Sequence, residues 1–143
     1  MKVLIFGDSQ SGATGAEVEK MLKMQGHSVK RATNSGKSTA KLLALAKNQA
    51  PVWDEVYLFT GGNDPSVQDE ALSELLGYFG ASGRVVFSGP PPATLITDLK
   101  LAKAVWGSAN SADKFFPQTA AFREEKNKAY KQIAKGFANV EVK

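Results

Sequence analysis

Lys2-Val3-Leu4-Ile5-Phe6-Gly7-Asp8-Ser9 is the stretch whose reading decides the fold. Four consecutive apolar residues with no polar alternation suit a strand buried on both faces, the habit of parallel sheets. Gly7 stops the run. Glycines and small polar residues continue to Gly15, and a helix is expected over about Ala16–Gln25, with Val18, Met21, Leu22 and Met24 inward. Gly26 is a natural helix stop.

The same alternation repeats down the chain. His27–Ala32 reads as a second, less buried strand, and Thr33–Gly36 as a loop. Lys37–Asn48 reads as a helix with Leu42, Leu43, Leu45 and Ala46 on its apolar side. Val56-Tyr57-Leu58-Phe59 is a strand core rich in β-formers and is broken by Gly61-Gly62-Asn63-Asp64-Pro65. Ser66–Ala81 reads as a helix with Leu72, Leu75, Leu76 and Phe79 on one stripe. Arg84–Ser88 reads as a fourth strand, ended by Gly89-Pro90-Pro91-Pro92 because proline cannot extend a central strand. Further on, 95–106 reads as helical and 107–117 as an irregular loop. Residues 118–136 read as a last helix with Phe122, Tyr130, Ile133 and Ala134 inward, and Val140–Val142 as the start of a fifth strand.

Strand and helix in steady alternation imply one α/β domain over residues 1–143, a mostly parallel sheet with helices on both faces. Ligands bind such sheets at the carboxyl ends of the strands. The first four strands end in Gly7-Asp8-Ser9, Thr33-Asn34-Ser35-Gly36, Gly61-Gly62-Asn63-Asp64 and Gly89-Pro90-Pro91, so these small, polar loops gather on one edge.

Composition narrows the chemistry. The chain has no cysteine, which excludes disulfides and thiol nucleophiles, and one histidine, His27. The net charge of +4 arises wholly in the last third: residues 1–97 carry nine basic and nine acidic side chains, and residues 98–143 carry nine basic and five acidic. This excess is read as a solvated helix face, since the dense basic stripe and interleaved aromatics of a nucleic-acid surface are missing. No apolar run approaches the roughly 18–20 residues of a membrane span, and the N-terminus lacks the apolar core of a signal peptide. Neither a nucleic-acid nor a membrane partner is therefore expected, and the chain is read as cytoplasmic when synthesised. No His/Asp/Glu cluster has metal-ligand spacing, so no metal and no cofactor are expected.

The clustered loops hold the parts of an acyl-transfer site. Such a reaction needs a nucleophile, a base and donors aimed at the developing oxyanion. Ser9 sits at a strand-to-helix turn, Gly36 offers an unobstructed N–H, and Asn63 offers a side-chain amide. Asp8 and Asp64 are read as hydrogen-bonding backbone N–H groups at a loop or helix start.

These residues resemble the SGNH (GDSL-type) hydrolase family. Gly7-Asp8-Ser9 is similar to its first block, Gly36 to its glycine block and Gly61-Gly62-Asn63-Asp64 to its Gly-x-Asn-Asp block. Val85–Pro91 is similar to its fourth strand and exit, so that the likeness covers about residues 1–95. The resemblance implies a three-layer, flavodoxin-like sheet of order 2-1-3-4-5. It also implies an ester hydrolase with Ser9 as nucleophile, and with the Ser9 and Gly36 amides and the Asn63 amide group as oxyanion hole. Asp8, Gly62 and Asp64 support these residues. The implied substrate is an acyl or acetyl ester, carbohydrate or peptidoglycan in type, and many chains of this look come from phages or bacteria, which makes a virion the other placement.

The family draws its base from an Asp-x-x-His block, and this sequence has none. His27, opening the second strand, is expected at the wrong end of the sheet from Ser9. The favoured expectation is that the chain is part of a longer hydrolase, with roughly 30–50 further residues carrying the histidine, given the usual length of αβ connections. The alternative is a histidine-less SGNH-type module that binds or serves as a virion part. Two rival motifs are weaker. Arg31–Thr39 nearly spells a P-loop, with Arg31 where its first glycine belongs. Ser9–Gly15 resembles a flavodoxin phosphate loop, yet Gly61–Pro65 and Gly89–Pro92 lack aromatics to flank a flavin. Trp53 and Trp106 are read as packing or surface residues, and Asp98 and Asp113 as helix-terminal or solvated carboxylates.

Overall fold

The computed structural model describes residues 1–89 and 120–143. Five strands, β1 (Lys2–Gly7), β2 (Ser28–Thr33), β3 (Glu55–Phe59), β4 (Arg84–Ser88) and β5 (Val140–Val142), form one sheet of order β2-β1-β3-β4-β5. All four pairings are parallel. The described helices are α1 (Ser9–Met24), α2 (Thr39–Ala46), α3 (Asp69–Tyr78) and α4 (Ala120–Ala134). This is the α/β architecture expected from the alternation, with the expected strand order. None of the described helices is long and apolar enough to cross a membrane.

Strand geometry assigns the two faces, because successive side chains point to opposite sides. Leu4, Phe6, Val56, Leu58, Val85 and Phe87 share one face and pack with Leu42 and Ala46 of α2, Leu72, Leu75 and Leu76 of α3, and Tyr130 and Ala134 of α4. All of these are essentially without solvent exposure. Burying a side chain of this size contributes about 1.5–3 kcal/mol, so this face is the main core. Helix α1 covers the opposite face over β1 and β2.

The main departure from expectation is α1, which starts at Ser9 and not near Ala16. Gly12 and Gly15 lie inside it, where low helix propensity would argue for a loop. Packing decides the matter. A Cβ on Gly15 would lie 2.8 Å from Ile5 Cγ2, and one on Gly12 would lie 3.1 Å from Thr33 Cγ2. The glycines let the helix lie directly on β1 and β2. With Ser11, Gly15 and Leu22 on the buried side of α1, Met21 and Met24 are exposed at 59% and 80%, so the two methionines do not face the core as expected. Helices α2 and α3 are shorter than expected by two or three residues at each end, and α4 ends two residues earlier than expected, where fraying and capping decide. The expected helix over 95–106, the loop over 107–117, the Pro90–Pro92 exit, Trp106, Asp98 and Asp113 lie outside the described residues, as does the side chain of Phe122.

Candidate active site

The sheet register puts Gly7 opposite Thr33 on one side and Phe59 on the other, and Phe59 opposite Ser88. The four following loops therefore leave the sheet side by side. Backbone bonds continue past the strands, from Asn34 N–H to Gly7 C=O (2.8 Å), Asp8 N–H to Phe59 C=O (3.0 Å) and Thr60 N–H to Ser88 C=O (3.3 Å). Gly7 is required at this junction. Its φ is +152°, and a Cβ there would run into the Phe59 carbonyl oxygen.

Asp8 is buried and is the N-cap of α1, its carboxylate accepting from Gln10 N–H at 3.0 Å. Ser11, also buried, donates through Oγ to the Asp8 carbonyl at 2.7 Å. Between them Ser9 is exposed, and its hydroxyl has no hydrogen-bond partner among the described residues. An exposed hydroxyl on the first turn of a helix also sits at the positive end of the helix dipole, which favours negative charge on its oxygen.

Gly36 is exposed with φ +75°, in a turn closed by Lys37 N–H to Asn34 C=O at 3.4 Å. A side chain would strain this position. Asn63 reaches across from the next loop, and its Nδ2 donates to the Lys37 carbonyl at 3.4 Å. Gly62 lies against the Ser9 loop: a Cβ on it would be 3.7 Å from Asp8 Oδ2. The structure thus brings the Gly36 and Asn63 loops together, and the Gly62 and Asp8 loops together, along one edge.

Asp64 is fully buried and does the backbone work expected of it, with more partners than expected. Its carboxylate accepts from Thr39 N–H (2.7 Å) and Thr39 Oγ1 (2.6 Å), and from the Tyr130 hydroxyl. Asp64 therefore caps α2 in place of Ser38, whose side chain makes no capping bond. Thr39 Oγ1 also pairs with Thr60 Oγ1 at 2.7 Å. Tyr130 accepts from Gln68 N–H at 2.9 Å. Burial, and then the bond to the Asp64 carboxylate, push the Tyr130 phenol well above its ordinary value of 10, so it stays protonated and donates.

Lys128, Lys131 and Lys135 are exposed, as expected of a solvated helix face, and Lys126 departs from that expectation. It is fully buried, and its Nζ donates to the carbonyls of Gly61 (2.6 Å), Asp64 (3.1 Å) and Gly62 (3.4 Å). Thr39, Thr60, Lys126 and Tyr130 were not singled out as site residues from sequence. One signal was present: Lys126 falls on the i, i+4 stripe of Phe122, Tyr130 and Ala134, where a charge has no place unless it has buried partners.

His27 is at the amino edge, with Nδ1 3.2 Å from the α-amino group of Met1, and Ser28 beside it bonds the Met1 carbonyl. Ser9 is at the other end of the sheet, one residue beyond the β1–α1 junction. Trp53 packs against the core and donates Nε1–H to the Ala50 carbonyl at 2.7 Å, a structural role. Among the described residues, no group of three or more His, Cys, Asp or Glu side chains is placed to hold a metal ion.

No family model matches the sequence, and comparison with curated proteins gives no match. Solved structures do match. The esterase EstA from Pseudoalteromonas sp., in a structure inhibited by monoethylphosphonate, aligns over 99% of this chain and 76% of its own at 17% identity, with a TM-score of 0.55. A protein designated a GDSL-like lipase from Parabacteroides merdae aligns over 99% of this chain and 75% of its own at 14% identity, with a TM-score of 0.61. The acetyl xylan esterase AlAXEase aligns over 99% and 76% at 18% identity, with a TM-score of 0.54. At such identities the likeness is one of fold. The fold is that of the GDSL-type esterases and lipases.

Proposed function

We propose that the chain forms all or most of a serine ester hydrolase with Ser9 as nucleophile. The backbone N–H groups of Ser9 and Gly36 and the Asn63 side-chain amide would receive the oxyanion, while Asp8, Gly62 and Asp64 hold the loops. The observation that carries this reading is the exposure of Ser9 between buried Asp8 and Ser11, on the first turn of a helix at the carboxyl edge of β1. In the reaction Ser9 Oγ bonds to the ester carbonyl carbon and its proton passes to a base. The alcohol leaves with a proton, and water then releases the acid from the acyl-serine. His27, at the amino edge, is not placed to be that base. An acyl or acetyl ester of a carbohydrate or peptidoglycan-type polymer is the proposed substrate, supported by the acetyl xylan esterase among proteins of this fold.

The test is labelling by a fluorophosphonate, read by intact mass and peptide mapping, beside p-nitrophenyl acetate hydrolysis. One adduct on Ser9, lost in Ser9→Ala, together with hydrolysis above the Ser9→Ala rate, supports the proposal. An unlabelled Ser9 and equal hydrolysis rates would remove it. The pairing of His27 with the N-terminus favours a second reading, a non-catalytic binding module of the same fold. Retention of an acetylated polysaccharide without turnover or labelling would carry that reading instead.

A further inference from the structure

The proposed chemistry leaves one buried charge without a task. Lys126 projects from α4 into the loop between β3 and α3, 62 to 65 residues earlier in the chain, and has no solvent exposure. Carbonyl oxygens only accept, so its nitrogen donates to Gly61, Gly62 and Asp64. Removing a charged ammonium from water costs several kcal/mol unless such partners replace the solvent. An apolar side chain would fill this place on the stripe between Phe122 and Tyr130 without that cost. Packing alone therefore does not account for a lysine here.

What it does account for is the orientation of the loop. In a trans peptide the C=O and the next N–H point in opposite directions. Drawing the Gly61 and Gly62 carbonyls towards Lys126 turns the N–H groups of Gly62 and Asn63 away from it, on the side of the loop remote from the ammonium. Gly62 abuts Asp8 and Asn63 meets Lys37, the loops that carry Ser9 and Gly36. Tyr130, one turn further along α4, fixes the end of the same loop through the Asp64 carboxylate. We propose that Lys126 is a positioning residue: its buried ammonium gathers the Gly61, Gly62 and Asp64 carbonyls and so sets Asn63 in place at the carboxyl edge of the sheet. The effect on catalysis rests on the ester hydrolase reading; the effect on the loop does not.

The experiment compares wild type, Lys126→Met, Lys126→Gln, Lys126→Arg and Ile133→Ala. Ile133 packs on the core from the same helix, so Ile133→Ala weakens α4 without touching the loop contacts. Two quantities are read by residue: amide hydrogen exchange at Asn63 and Asp64 against exchange in β3, and the second-order rate of fluorophosphonate labelling at Ser9. In Lys126→Met the loop amides are expected to exchange at least about tenfold faster while β3 keeps its protection, the behaviour of a local opening. Labelling is expected to slow by a similar factor, Lys126→Arg to recover part of both, and Ile133→Ala to keep the wild-type labelling rate. Should Lys126→Met not fold, Lys126→Gln, with a shorter neutral donor, answers the same question.

Loop exchange that is unchanged, or that rises only in step with β3 as in Ile133→Ala, overturns the proposal. So does faster loop exchange at an unchanged labelling rate, which would make the clamp irrelevant to Asn63. If wild type itself is not labelled, the hydrolase reading falls, and the exchange data alone decide whether Lys126 holds the loop.

Discussion

Gly7-Asp8-Ser9 and Gly61-Gly62-Asn63-Asp64, the two loops that frame the candidate site, differ in how far along the chain their side-chain partners lie. At the Asp8 turn two near neighbours bond the residue, Gln10 N–H on the carboxylate and the Ser11 hydroxyl on the carbonyl, beside the Asp8 N–H bond to Phe59 C=O of β3. The Gly61–Asp64 loop is held from afar, by Thr39 of α2 and by Lys126 and Tyr130 of α4. A turn with capping bonds from its near neighbours needs, beyond them, only the strand beside it. A loop held from afar depends on the packing of every element that brings its partners.

Removing a partner from each loop should expose that difference. The largest effect is expected from Asp64→Ala, which leaves the Thr39 N–H and the Tyr130 hydroxyl facing a buried void and the Thr39 hydroxyl with Thr60 alone. Each buried donor left unsatisfied costs about 1–3 kcal/mol, so urea unfolding should show a much lower midpoint and lost order in both α2 and α4. A midpoint within experimental error of wild type would show that the network is not what holds the loop.

Tyr130→Phe should come next, at about 1–2 kcal/mol near neutral pH, since Gln68 N–H loses its acceptor and Asp64 a donor. Its pH dependence sharpens the comparison. The Tyr130 pKa is raised on folding, so above pH 10 the unfolded chain releases a proton that the folded chain keeps. The associated stability is therefore present below pH 10 and is lost as pH rises beyond it. Tyr57, shifted upward by burial and by Glu55, adds a slope of the same sign. Stability measured between pH 8 and 11 should fall less steeply in Tyr130→Phe than in wild type, and identical slopes would remove Tyr130 from the account.

Asp8→Ala should cost least, about 1 kcal/mol, the usual loss for an N-cap. The expected signature is faster exchange confined to the first turn of α1, with the Gly61–Asp64 amides unmoved. Loosening of both loops together would mean that they form one unit.

The same contrast governs how much could be read from sequence. β1 and β4 were legible as uninterrupted apolar runs, and the order of the sheet followed from the resemblance carried by the glycine-rich blocks. The backbone-bonding roles of Asp8 and Asp64 were legible because short acidic side chains at loop starts seek N–H groups. The start of α1 was not, because Gly12 and Gly15 signal a loop locally and serve close packing against Thr33 and Ile5 only once the sheet exists. Lys126 was hidden for the same reason. Its acceptors are main-chain carbonyls more than sixty positions away, which leave no mark on the sequence around it.

The Lys126 and Tyr130 contacts also bear on the order in which the protein is made. A contact between Lys126 and Gly61 spans 65 residues, and one between Tyr130 and Asp64 spans 66. Closing a loop of that length costs chain entropy before the contact repays it. On a ribosome, β1, α1, β2, α2 and β3 emerge and can pair while α4 is still unsynthesised. The Ser9 turn can therefore mature early, whereas the Asn63 loop waits for residue 130. The candidate site is completed from its far end, and a chain released before that helix would carry an exposed serine beside an Asn63 loop not yet held in place.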